Sequence, residues 1–160
     1  MQIKVLPEDA VRHALPGIGF SVDTTDSGLA GRPLIHAGWY FVASGPPGGT
    51  LSFRVQPSSE PESDADAVER AVRPSYANPP PFEVIERGRV ELAGRDRAAI
   101  AFTSGTGFNG TAWCAALVGT PAGSLLVGFG YGPFKLAPSI AALASHAALA
   151  VLVRSFALIS

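Results

Sequence analysis

Reactive side chains are few in this sequence. Cys114 is the only thiol, and His13, His36 and His146 are the only imidazoles. A cysteine nucleophile must be exposed and close to a base. Cys114 instead lies in the uncharged run Thr111-Ala-Trp-Cys-Ala-Ala-Leu-Val118, which predicts a buried structural thiol. No two histidines stand at i, i+2 or i, i+4, and no acidic cluster accompanies them, so zinc-site spacing is missing. No catalytic, metal or cofactor-binding residue is expected, and no cofactor.

Two glycine-rich stretches invite chemistry and decline it. Thr103-Ser-Gly-Thr-Gly-Phe-Asn-Gly110 faintly resembles the phosphate-holding loop of adenylate-forming enzymes, yet neither the lysine nor the larger domain of those enzymes is present. It is no Walker loop, because no Gly-Lys-Ser/Thr follows, and it is read as a hairpin loop. Gly128-Phe-Gly-Tyr-Gly132 lacks the serine of a nucleophile elbow. Its glycines are expected to let a helix or a neighbouring strand approach closely. Asp64, Asp66 and Glu69 read as wet acids at a helix start rather than an acid–base pair. The aromatics Trp39, Tyr40, Trp113 and Tyr131 have the character of a pocket lining, with core packing as the preferred use.

The whole chain fits that picture of weak chemistry. Its 160 residues predict one α+β domain, 1–160. A chain of this size buries roughly 70% of its unfolded surface, so it needs no metal or disulfide staple. Hydrophobic residues make up 47% and charged ones 16%, which argues against disorder. Twelve basic against 13 acidic residues leave a net charge of -1 and no basic stripe, so nucleic acid is not an expected partner. One cysteine permits no internal disulfide, and Met1-Gln-Ile-Lys-Val-Leu-Pro7 has neither a signal-peptide run nor a lipid-anchor cysteine. A cytoplasmic location follows as the expectation. Residues 140–159 approach the length of a membrane span but contain Arg154, whose charge is costly there, so no span is expected.

The elements follow from periodicity. Ala98–Thr103, Thr111–Val118 and Ser124–Tyr131 carry no charge, so they are read as the middle of an antiparallel sheet covered on both faces. Gln2–Leu6 suits a short edge strand and Pro7–Leu15 one or two helical turns. Ile18–Thr24 alternates as a half-wet strand, and Ala30-Gly-Arg-Pro33 is turn material. Leu34–Ala43 and Thr50–Gln56 read as a hairpin with a long loop. Pro57–Glu62 reads as a polar linker, and Ser63 as the N-cap of a helix over 64–73 that Pro74 stops. Phe82–Leu92 is a strand whose apolar face is broken by Glu86 and Gly88, which predicts a bulge. Pro138-Ser139 opens a helix running to Val153, and 155–158 is read as extended.

In that last helix Ile140, Leu143, Ala144, Ala147 and Val151 form one stripe, while Leu149, Leu152, Val153 and Phe156 lie largely opposite. Either the tail turns back into the core, or it leaves an apolar patch for self-association. Candidate ligand or partner contacts are therefore Trp39, Tyr40, Tyr131, Leu149, Leu152 and Phe156.

The run Val90-Glu-Leu-Ala-Gly-Arg-Asp-Arg-Ala98 resembles the strand–Gly–turn–Ala step of the Mog1/PsbP-like superfamily. The ending Leu149-Ala-Val-Leu-Val-Arg-Ser-Phe156 is similar to that superfamily's closing helix and Ser-Phe step, and the topology matches over residues 18–158. The resemblance implies an α/β/α sandwich, a central antiparallel sheet flanked by two main helices. Its members include photosystem accessory proteins, Ran-binding proteins, bacterial lipoproteins and proteins linked to secretion systems, most of which bind rather than catalyse. The missing catalytic constellation and the apolar tail of the last helix lead to a non-catalytic accessory domain acting through protein contacts, as a homodimer, and the resemblance implies association with a secretion system or the envelope. A small apolar-ligand binding protein and an enzyme of unknown type are the alternatives.

Overall fold

A computed structural model describes residues 1–33, 40–45 and 51–159 of the chain. It begins with β1 (Gln2–Val5), α1 (Pro7–Arg12), β2 (Gly19–Asp23), β3 (Ala30–Pro33), β4 (Phe41–Ser44) and β5 (Ser52–Ser58). Helix α2 (Ala65–Tyr76) leads to β6 (Phe82–Leu92), β7 (Arg95–Ser104), β8 (Thr111–Thr120) and β9 (Gly123–Tyr131). The chain closes with α3 (Ile140–Ser145), α4 (Ala147–Ser155) and β10 (Ala157–Ile159). Seven strands form one sheet in the order β3-β4-β5-β9-β8-β7-β6, and β1-β2-β10 form a second. The described strand pairings are antiparallel, so the fold is α+β.

Side chains alternate across β7, β8 and β9 as a pleated strand requires. Ala99, Ala101, Cys114, Val118, Val127 and Phe129 enter one core. Ile100, Phe102, Trp113, Leu117 and Leu126 enter the other, against Val68, Val72 and Tyr76 of α2. Ile100 and Leu126 are 0% exposed and Trp113 5%, so the uncharged strands are covered on both faces, as their sequence predicts. Each such side chain contributes roughly 1.5–3 kcal/mol of hydrophobic stabilisation. The first face carries α3 and α4 together with the small sheet, whose Phe20 and Val22 join the same core.

Several boundaries differ from expectation for identifiable reasons. Ala30–Pro33 is a strand paired with β4 rather than a turn. Of the expected strand 34–43, residues 34–39 lie outside the described residues, and β4 begins at Phe41. Asp64, not Ser63, caps α2, its carboxylate accepting from the Ala67 N–H at 3.0 Å. The helix passes Pro74 because Tyr76 must reach the core, where its ring meets Phe102 at 5.6 Å and Trp113 at 5.0 Å. Pro74 itself is exposed, so water can serve the carbonyl its missing N–H abandons.

The bulge in β6 lies between Val84 and Glu86. Glu86 accepts from the Ile140 N–H at 2.9 Å, and a Cβ on Gly88 would stand 3.1 Å from Ile140 Cδ1. The break in the apolar pattern is therefore where α3 docks.

The last helix is two helices. Ser139 caps α3 by accepting from Ala142 N–H, and His146 adopts an extended conformation whose Nδ1 accepts from Ala148 N–H at 3.3 Å. The break re-aims the stripe that a straight helix would turn away. Leu143, Leu149, Leu152 and Phe156 are all buried in one core. The exposed-patch reading of this tail is thereby corrected. No described helix is long and apolar enough to cross a membrane.

Candidate functional site

The residues expected to make contacts do not converge. Trp39 and His36 lie outside the described residues. Tyr40 is fully buried, donates its phenol O–H to the Pro16 carbonyl, and has its pKa pushed up to about 12 by burial. It packs edge-on against Phe20 at 6.0 Å, within a chain of rings that includes Phe41, Phe53, Phe129 and Phe156. These rings fill the core and leave Tyr40, Leu149, Leu152 and Phe156 no surface to offer. Tyr131 is half-buried, its ring 5.6 Å from the His146 ring.

The other candidates have structural partners. Cys114 is buried, and burial raises its thiol pKa, with the Glu86 charge adding to the effect. Asp66 accepts from Arg87 at 2.8 Å, while Glu69 bonds both Arg73 and Arg87. The Arg73 hydrogen bond holds the Glu69 carboxyl below its ordinary pKa. His13 is exposed, and no cluster of three His, Cys, Asp or Glu suited to a metal occurs among the described residues.

One end of the sheet holds a polar cleft of about 790 Å³, lined by Ser58, Ser63, Arg95, Thr120 and Ser124 around Glu62. Arg97, 3% exposed, donates to the carbonyls of Leu92 at 2.6 Å and Ala93 at 3.2 Å, and to Glu62 at 2.6 Å. Glu62 also accepts from Arg95 at 2.9 Å and from the Gly119 N–H at 2.8 Å. Desolvation lowers the Arg97 pKa, and the Glu62 charge opposes it. This cluster is a joint tying the segment before α2 to two hairpin turns.

The opposite end is different. Phe108, on a short 3₁₀ turn between β7 and β8, is 97% exposed, and Leu136, on the loop after β9, is 85% exposed. The two loops touch, since a Cβ on Gly110 would stand 3.1 Å from Phe134. Gly105 and Gly107 take φ of +77° and +61°, which lets the loop turn back on itself. Beside Phe108 a cleft of about 460 Å³ is lined by Leu51, Arg54, Thr111 and Trp113. The Arg54 guanidinium lies 4.8 Å over the Trp113 ring and donates to Ser52 Oγ at 3.0 Å, while Trp113 Nε1 donates to Thr111 Oγ1 at 2.9 Å. An aromatic anchor beside a cation–aromatic shelf suits contact with another molecule. In the sequence Phe108 is part of an expected hairpin loop. Its signal was an aromatic ring between glycines with no apolar neighbour to pack on.

No family model and no curated protein matches the chain. Among solved structures it is similar to the solution structure of cyanobacterial PsbP (CyanoP) from Synechocystis sp. PCC 6803. The TM-score is 0.53 at 14% identity, covering 99% of this chain and 92% of that one. The chain has a PsbP-like α+β fold.

Proposed function

We propose that this PsbP-like chain is a non-catalytic accessory domain that acts through protein contacts, made at the loop end around Phe108. The observation carrying the proposal is the pair Phe108 and Leu136, the two most exposed large apolar side chains among the described residues, on loops that pack together. Neither ring nor leucine at such exposure stabilises the fold, and each gains on being covered by a partner. The layering of α2, the seven-stranded sheet, then α3 and α4 with the small sheet supports an α/β/α sandwich of the Mog1/PsbP-like kind. Association with a secretion system or the envelope rests on that resemblance, and a homodimer is part of the same reading.

The test is a photoreactive amino acid at position 108, with a control at Thr120, in cells that make the protein. The expected result is one discrete crosslinked partner from position 108, lost on Leu136→Ser. Equal, diffuse crosslinking from both positions would refute the loop end as a contact surface.

A second reading, a small apolar ligand, draws on a cleft of about 360 Å³ lined by Ile18, Pro121, Ala122 and Leu158. Native mass spectrometry of gently purified protein would show a retained ligand, and uniformly bare protein would dismiss it.

A further inference from the structure

Strand β6 ends the seven-stranded sheet, and no described strand pairs with its outer edge. Its hairpin with β7 turns on Ala93 and Gly94, both with positive φ, +52° and +88°, a two-residue turn of the I′ kind. The residues flanking such a turn, Leu92 and Arg95, exchange both backbone hydrogen bonds, and the alternation along an antiparallel ladder then follows. Leu92, Val90 and Gly88 aim their N–H and C=O groups at β7. Arg87, Arg89 and Glu91 aim theirs away from the sheet, and the side chains of all three are exposed.

Asp66 and Glu69 hold Arg87, whereas Arg89 and Glu91 have no ion-pair partner among the described residues. Glu91 sits directly opposite Asp96 of β7, two exposed carboxylates in a cross-strand pair, an arrangement that destabilises a sheet. The Arg89 guanidinium reaches only as far as the Asp96 carbonyl, at 3.3 Å.

We infer that the β6 edge is a self-pairing surface, taking the same strand of a second copy in antiparallel register about a two-fold axis at Val90. In that register Arg89 of each copy lies opposite Glu91 of the other, twice, and places a cation beside the Glu91–Asp96 pair. Residues with outward backbone groups meet residues with outward backbone groups, so the ladder continues across the axis. The neighbouring registers do worse on charge. A two-fold at Gly88 sets Arg87 against Arg89 twice, and one at Arg89 sets that arginine against itself and offers Glu91 only Arg87, whose guanidinium Asp66 and Glu69 already hold. The bulge between Val84 and Glu86 limits the pairing to the straight part of the strand. On the other side of the edge a cleft of about 310 Å³, bordered by Val90, Ala144 and Val153, is open to the second copy.

This inference rests on the homodimer within the reading above, but on a different surface from Phe108. Sedimentation equilibrium from micromolar to near-millimolar protein tests it, with circular dichroism to confirm the fold of each variant. Wild type is expected to dimerise. Arg89→Glu and Glu91→Arg should each raise the dissociation constant by about tenfold or more. The double variant R89E/E91R should restore it, because both opposite-charge pairs re-form. A dimer indifferent to all three changes overturns the edge pairing and leaves the homodimer standing. A wild type that stays monomeric overturns both, while crosslinking from position 108 still reports separately on partner contact.

Discussion

Arg97 is buried and commits its guanidinium to the half-buried Glu62 and to the Leu92 and Ala93 carbonyls. Glu62→Ala would leave that buried charge without its counter-ion, at a cost of about 3–5 kcal/mol in urea unfolding. Adding Arg97→Met should recover much of the loss. Nothing in the sequence couples these two residues, 35 apart. Glu62 lies in what reads as a linker, and its role comes only from where the linker lands. Tyr40 tests burial in another way. Its folded pKa of about 12 stands above the ordinary 10.0, so the native phenol keeps a proton that the unfolded chain releases. Its contribution to stability is therefore whole below pH 10 and falls as pH rises toward 12. Burial raises the Tyr76 phenol too. Absorbance at 295 nm should show both phenols protonated at about pH 11 until the protein melts. Early ionisation of both would contradict their burial.

Strands in this chain announce themselves by period 2 and by turn residues, which is why β6 to β9 match their sequence boundaries closely. The glycines of Gly128–Gly132 were legible as well. A Cβ on Gly128 would meet Tyr76 Oη of α2 at 2.5 Å, and one on Gly130 would collide with the Ala112 carbonyl of β8. Gly128→Ala should therefore cost about 1–3 kcal/mol by pushing α2 off the sheet, with faster hydrogen exchange in residues 65–76. An unchanged midpoint would mean that α2 yields freely. The break at His146 was not legible. Residues 140–153 contain no glycine or proline and favour helix throughout. Only the demand that Leu143, Leu149 and Leu152 share one core divides them, and that demand belongs to tertiary packing.

At the scale of the molecule, the second sheet is what sequence could not supply. Ile18–Thr24 and the end segment read separately as extended, but their pairing through β2 joins distant parts of the chain. Phe156 closes this sheet over the main core, its ring 5.3 Å from Phe20 and 6.2 Å from Phe53. Phe156→Ala should cost about 3–5 kcal/mol in thermal or chemical unfolding. It should also speed amide exchange in residues 157–159, and a change below 1 kcal/mol (roughly the price of a surface residue) would show the ring to be dispensable.

The Asp23 N–H donates to Ser155 Oγ across 132 residues. During synthesis, β2 therefore leaves the ribosome with one flank bare. The side of Phe20 that Phe156 covers stays bare while more than a hundred further residues are translated. A nascent chain paused after Tyr131 already holds every strand of the large sheet but none of α3, α4 or β10 that shield one side of it. Such an intermediate displays a broad greasy surface of the sort that chaperones capture and that aggregates grow from.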